Sequence, residues 1–277
     1  MKPAPFDYVQ PDSVDEAVEV LAQYGDDARV IAGGQSLMPM LNMRLVRPHV
    51  LVDISRLPAL SSTVDEDGVL AVGAAVTQGT LAAWPNLGMT LPLLAQALPY
   101  VGHFQTRNRG TVCGSLCHAD PSSELPLCLA LLGGEMDLHS SRGVRTIAAE
   151  NFQRGVLTTA KAPDELAVRV RFPKAPAGDS FAFREFCHRH GDFAVVAIAA
   201  RRSGTAISLA VGGVADRPEV CHWNSLPDDS VEDALNDLAW VLGGNDDIHA
   251  TARHRRQLVR HLGCQVIDAT RPDDGTE

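Results

Sequence analysis

Apolar residues recur along the chain at two periods, and each period marks a different kind of element. After an extended start, Val14, Ala17, Val18, Leu21 and Ala22 follow helical spacing behind Ser13 and Glu16, a capping-box pair, until Gly25 stops the pattern. That spacing predicts an amphipathic helix of about three turns. Ala28 to Ala32 then reads as a short buried strand delivering the chain into Gly33 and Gly34, and VLVDI at 50–54 and VLAVGAAV at 69–76 read as further strands. Leu91 to Leu98 predicts a helix opened by Pro92 and stopped by Pro99.

Residues 103–126, HFQTRNRGTVCGSLCHADPSSELP, are polar, rich in glycine and proline, and carry neither period, which predicts a long loop. Loops of that length inside a compact domain are usually functional. Leu127 to Leu132 reads as a buried helix or strand, and LAVRVRFP at 166–173 alternates as a strand does. The segment KAPAG at 174–178 is the best linker candidate. Beyond it FAFREF, AVVAIAA and AISLAVGGVA are strand or helix segments, 231–244 is helical, and the last half-dozen residues read as disordered. No internal repeat is visible.

Charge narrows the partners. The 277 residues carry 24 basic and 34 acidic side chains, a formal net charge of −10, with no basic block, which argues against nucleic acid or an anionic membrane surface. Lysine occurs only at positions 2, 161 and 174, so an anion held by side chains would meet mainly guanidinium groups. The cysteines at 113, 117, 128, 187, 221 and 264 lack the repeated spacing of zinc or iron–sulfur sites, and no metal site is expected. MKPAPFDYVQ is too polar for a signal segment, and the longest apolar stretch is too short to span a bilayer, so a cytoplasmic protein with no membrane span is expected.

Two stretches carry candidate chemistry. Gly33 and Gly34 let the backbone turn with side chains out of the way, so that N–H groups can converge on a phosphate, and Gln35 and Ser36 add donors. By itself a strand followed by two glycines is a weak signal, since neither G-x-G-x-x-G nor a Gly-Lys-Ser/Thr loop is present. Some eighty residues on, Thr111-Val112-Cys113-Gly114-Ser115 again sets a hydroxyl at each end with backbone donors between. Together the two stretches could grip both phosphates of a dinucleotide. Asn108, Arg109 and Gly110 before the second, and His118, Asp120 and Glu124 after it, could reach a ribose or adenine; taken singly, each is better explained as a turn cap or surface ion pair.

The strings AGGQSLMPMLNMRLVRPHVLVDISRL and RNRGTVCGSLCHADPSSELPLCLALLGG strongly resemble the FAD-binding medium subunit of molybdenum hydroxylases, the group that includes the flavoprotein subunit of carbon monoxide dehydrogenase and the flavin domain of xanthine dehydrogenase. Similarity continues through GVLAVGAAVTQGTL, PDELAVRVRFP, HGDFAVVAIAA and GGVADRP, covering residues 1 to about 220 well. The resemblance implies an α+β chain: a two-subdomain FAD-binding fold of the vanillyl-alcohol oxidase type over 1–173, with subdomains of about 1–56 and 57–173, then a small α+β domain over 178–277. Carried over by position, it assigns Val30, Ile31, Ala32, Gly33, Gly34, Gln35, Ser36 and Leu37, with Thr111, Val112, Cys113, Gly114 and Ser115, to the diphosphate. It further assigns Val101, Glu124, Lys161 and Arg184 to cofactor contacts.

Three positions depart from the pattern or qualify it. Relatives usually have a second glycine where Cys113 stands, so a positive φ there would strain the loop by about 1–2 kcal/mol. Cys117 stands where a small apolar residue is common, and both thiols read as buried and inert. Oxidases of the wider fold that bind flavin covalently often carry histidine where this chain has Gln35, so the FAD is expected to be non-covalent.

Functionally the resemblance implies a subunit that collects electrons on FAD from [2Fe–2S] clusters of a small partner, supplied by a large molybdopterin partner, in what is expected to be a dimer of heterotrimers. No general base is expected in this chain, and the iron–sulfur and molybdopterin groups belong to the partners. An independent flavoenzyme of the same fold, and a scaffold that has lost FAD, are the other readings.

Overall fold

The computed structural model describes residues 2–272. Contacts divide the chain into two compact units. The first holds the residues up to Trp84 with Phe104–His118 and Gly134–Pro173; the second holds Pro85–His103, Ala119–Gly133 and everything described from Lys174 on. The division is therefore discontinuous: it crosses at 173, as the linker suggests, and also draws two earlier segments into the second unit.

In the first unit, Ser13 Oγ accepts the Glu16 N–H at 3.1 Å, while the Glu16 carboxylate reaches back to the Asp12 N–H at 2.7 Å. Those contacts start the helix Val14–Tyr24, and Gly25, at φ +50°, ends it. Ala17, Val18 and Leu21 form its buried face, against a three-stranded parallel sheet ordered Asp7–Val9, Val50–Asp53, Ala28–Ile31. The strand Ala28–Ile31 delivers the chain into the glycine turn, and a short helix, Leu37–Asn42, follows.

A second sheet in this unit is antiparallel, ordered Thr63–Glu66, Val69–Gly73, Leu166–Pro173, Glu135–Ser140, Gly143–Ala148. Leu70, Val72, Met136, Leu138, Val170 and Phe172 are among its buried positions. Asp137, 1 % exposed, is held there by the Thr146 hydroxyl at 2.7 Å and by the guanidinium groups of Arg169 and Arg171 at 3.0 Å each. A carboxylate this buried is tolerated because its charge is paired and hydrogen-bonded.

The second unit is built on a four-stranded antiparallel meander, Ser180–Phe186, Val196–Ser203, Ala206–Gly212 and Glu219–Trp223 in sequence order. Residues 196 to 200 are all buried, alternation being lost because both faces of the sheet are covered. Helix Ala252–Ala269 packs on the first two strands, with Val231–Leu242 against it; Pro92–Ala97 packs on the first strand, and Glu124–Leu132 on the second, third and fourth. Arg255, 5 % exposed, fastens the long helix: its guanidinium donates to the carbonyls of Val195 and Gly213 at 2.6 Å each and pairs with Asp247 at 2.6 Å.

Two expectations change. The predicted loop over 103–126 is largely helical, with Phe104–Arg107, Val112–His118 and the start of Glu124–Leu132 inside it. Helices of four and seven residues complete two turns at most, too few for a 3.6-residue period to declare itself. The tail beyond 244 contains an 18-residue helix that sequence analysis does not yield. The expected disorder of the last half-dozen residues falls almost entirely outside the described residues. Among the described residues no helix is long and apolar enough to cross a membrane.

Candidate functional site

The two candidate stretches meet in the first unit. A Cβ built on Gly33 would overlap the Arg109 carbonyl oxygen and stand 2.7 Å from Gly110 Cα, so the two backbones touch and only glycine fits. Gly34 has φ +69°, in the left-handed region that costs other residues about 1–2 kcal/mol. A Cβ there would also meet Met38 Cγ at 3.2 Å. The exposed Gln35 folds back on its own turn, its Nε2 donating to the Gly33 carbonyl at 3.1 Å, and it brings no nucleophile to the site. Val30 and Ile31 end the strand, Ala32 enters the turn, Ser36 precedes the helix with no side-chain cap bond, and Leu37 is its first residue.

The second stretch is the start of a helix, not an open loop. The Thr111 hydroxyl accepts the Gly114 N–H at 3.1 Å, and the Thr111 carbonyl accepts the Ser115 N–H at 3.1 Å. Val112 and Cys113 are buried beneath, while Gly114 is exposed and Ser115 partly so. A Cβ on Gly114 would stand 2.6 Å from Thr111 Oγ1. The stretch is pinned along residues 76–78: the Val112 N–H donates to the Val76 carbonyl at 3.1 Å, Thr77 bridges to Thr111, and the Gln78 N–H donates to the Gly110 carbonyl at 2.8 Å.

Cys113 has no positive φ, so the strain that a glycine-favouring backbone would impose is absent. Its Sγ lies 3.7 Å from the Val72 carbonyl, facing the sheet. Burial pushes the thiols of Cys113 and Cys128 up and raises Cys117 to about 11, so these three are poor nucleophiles. All six cysteines are free, and among the described residues no group of three metal-ligating side chains exists.

Lys161 also belongs to the first unit. Its Nζ donates to the carbonyls of Ala162 at 3.0 Å and Glu165 at 3.1 Å, leaving one of three protons for anything further. Burial pushes its pKa down, offset in part by Cys117 and Glu165.

The other three assigned residues lie in the second unit. Val101 is buried, at the end of the turn Leu98–Tyr100. Glu124, 4 % exposed, opens the helix Glu124–Leu132. Burial raises its carboxyl to about 8 against the pull of its own backbone N–H, with the charges of Glu185 and Asp120 adding to the rise. It is therefore mainly a neutral acid at pH 7, able to donate a hydrogen bond. Arg184 is exposed on its strand and donates to the Phe183 carbonyl at 2.8 Å. Its neighbour Glu185 is partly buried, with both carboxyl oxygens turned away from solvent, and burial raises its pKa to about 7 against the pull of the Cys187 thiol. Asp120 caps a turn, accepting the Ser122 N–H at 2.9 Å.

Sequence reasoning named Gly110 among the groups flanking the second stretch but not its contact with Gly33, and it missed Gln78, which touches Gly110. Gln78 is 5 % exposed, and its Oε1 has no hydrogen-bond partner. No spacing rule links position 78 to 110; only the pairing of residues 76–78 with 110–112 does. The first unit thus brings the two stretches into backbone contact at Gly33 and Gly110, with an exposed Gly114 and hydroxyls at Ser36 and Ser115. These groups fit the diphosphate region of a dinucleotide.

A family profile described as "FAD binding domain in molybdopterin dehydrogenase" matches residues 4–175. The alpha subunit of the 6-hydroxypseudooxynicotine dehydrogenase complex of Paenarthrobacter nicotinovorans is 36% identical over 95% of this chain and 93% of its own length. The medium subunit of nicotine 6-hydroxylase from the same organism is 35% identical over 96% of this chain and 98% of its own length. Among solved structures, a chain of carbon monoxide dehydrogenase from Hydrogenophaga pseudoflava, in a form lacking the Mo-pyranopterin moiety, superposes with a TM-score of 0.92 at 29% identity, over 98% of each chain.

Proposed function

The chain belongs to the family of FAD-binding domains of molybdopterin dehydrogenases, and on that premise we propose that it is the flavin-carrying medium subunit of a molybdenum hydroxylase complex. The observation that carries this reading is the backbone contact of Gly33 with Arg109 and Gly110, which brings the two glycine-bearing stretches together. When bound, FAD supplies a relay that accepts electrons from iron–sulfur clusters and gives them to an external acceptor.

This chain's part is to bind and orient. Residues 30–37 and 111–115 hold the diphosphate, Gly33 and Gly34 keeping side chains out of its way and Ser36 and Ser115 offering hydroxyls. Lys161 contributes its remaining proton, and the family resemblance assigns further cofactor contacts to Val101, Glu124 and Arg184, Glu124 as a hydrogen-bond donor in its neutral form. Gln35 leaves the cofactor dissociable. No residue acts as a general base, because passing electrons through a flavin requires none from the protein.

The fold is proposed to be the vanillyl-alcohol oxidase type of FAD fold, with a flavin-binding domain over 1–173 and a small α+β domain over 178–277. The partners are a small [2Fe–2S] subunit and a large molybdopterin subunit, assembled as a dimer of heterotrimers in the cytoplasm. Isolation of the tagged chain from its native host tests this. The expected product is a yellow-brown complex with stoichiometric FAD and two further subunits, and a colourless chain isolated alone would sink the proposal.

A further inference from the structure

Among the described residues, Gln78 is a strongly buried polar side chain at the paired turns whose hydrogen bonding is incomplete. It opens the helix Gln78–Ala82 behind the Thr77 cap, where the Thr80 N–H donates to the Thr77 hydroxyl at 3.1 Å. Its backbone N–H is spent on the Gly110 carbonyl at 2.8 Å. Its side chain lies against Gly110, where an added Cβ would come within 3.2 Å of Oε1 and 3.4 Å of Cδ. Gly110 in turn touches Gly33, so the carboxamide is two contacts from the first turn.

At 5 % exposure the amide has lost bulk water, yet Oε1 receives no hydrogen bond. A buried acceptor left unmet is a standing cost to the fold, and an apolar side chain of the same shape would remove it. That the position carries glutamine beside the dinucleotide turns, with nothing in the protein using its oxygen, points to a donor arriving from outside.

Resting on the FAD reading above, we infer that Gln78 is a further cofactor-binding residue, its Oε1 accepting a hydrogen bond from a sugar hydroxyl of the bound dinucleotide, directly or through one water. The diphosphate brings no protons at neutral pH, so the hydroxyl comes from one of the two arms flanking it, the ribose of the adenosine side or the ribityl chain of the flavin side. Gln78 thereby reports that an arm, and not only the phosphates, has entered the site.

Gln78→Leu in the full-length chain tests this by two readouts: thermal stability without flavin, and affinity for FAD by quenching of flavin fluorescence. The expected result is an apo stability equal to or above wild type with FAD bound about three- to tenfold more weakly, the equivalent of one hydrogen bond. Wild-type FAD affinity in a folded leucine variant would overturn the inference. Where that variant does not fold, Gln78→Glu keeps the shape and an acceptor oxygen; its FAD affinity is expected to fall relative to wild type as pH rises from about 5 to about 8, and a pH-independent, wild-type affinity would overturn the inference. Titration with ADP assigns the arm: a parallel loss for ADP identifies the ribose hydroxyl, and loss for FAD alone the ribityl one. A wild-type chain that takes up no FAD removes the functional reading itself, whereas a wild-type chain that binds FAD no better than its leucine variant removes only the role of Gln78.

Discussion

Gly33 lies against the carbonyl of Arg109 with no space for a side chain, and Gly110 Cα stands 2.7 Å from where a Cβ on Gly33 would be. Gly33→Ala must therefore force the two turns apart. Its expected effect is a loss of FAD affinity of at least about tenfold, read by flavin titration. Gly34→Ala, with φ +69° to accommodate, is expected to cost about 1–2 kcal/mol in thermal or denaturant stability and less in affinity. An alanine at 33 that retains FAD as wild type does would show that the contact between the turns is not part of the binding surface.

Glu124 ties stability to pH. Burial raises its pKa from 4.5 to about 8, so the stability it leaves intact below its ordinary pKa is lost as pH rises through about 8. Glu185, raised to about 7, acts with the same sign. The flavin-free chain is expected to become less stable to melting as pH rises from about 5 to about 8, and Glu124→Gln should reduce that loss of stability by an amount on the order of a few kcal/mol. An unchanged slope in the glutamine variant would show that Glu124 is ionised in the folded chain throughout.

Cys113 faces Val72 and the sheet rather than the Gly33 turn. Its thiol, with those of Cys117 and Cys128, is expected to resist alkylation in the native chain and react only on unfolding. Cys113→Ala should lower stability by about 1–2 kcal/mol through lost packing while leaving FAD affinity unchanged. A large loss of flavin on that substitution would place the sulfur in the binding surface.

Arg255→Met leaves the carbonyls of Val195 and Gly213 without the donors that hold them at 2.6 Å and removes the partner of Asp247. The expected cost is about 2–4 kcal/mol, measured by denaturant unfolding. Neutrality there would mean that the packing of helix Ala252–Ala269 on the sheet carries the second unit without this residue.

Several features were legible in the residues for physical reasons that transfer. Ser13, Glu16 and Gly25 bracket their helix because capping and left-handed backbone are local chemistry, and the strand into Gly33 shows as an apolar run stopped by two glycines. The tail helix went unread: Leu258, Val259, Leu262, Val266 and Ile267 do repeat at helical spacing, but its charged face hides the stripe when the segment is scanned for apolar runs. The helix at Val112–His118 was not legible, being under two turns long and begun by a cap that also reads as a loop. The candidate site divides in the same way. Gly33 and Gly34 announce themselves, whereas Gln78 and Gly110 matter through pairings between residues about thirty positions apart, which local pattern cannot express.

The central claim is that Gly33 and Gly110 join two turns into a surface for a dinucleotide diphosphate. Titration of the purified, flavin-free chain with FAD and, separately, with FMN tests it most directly, since FMN has a single phosphate and lacks the adenosine arm. The account predicts saturable FAD binding at least about a hundredfold tighter than FMN, near 3 kcal/mol of discrimination, with the flavin released on denaturation because no covalent bond holds it. Equal affinity for the two flavins, or a folded chain that stays colourless in excess FAD, would contradict it.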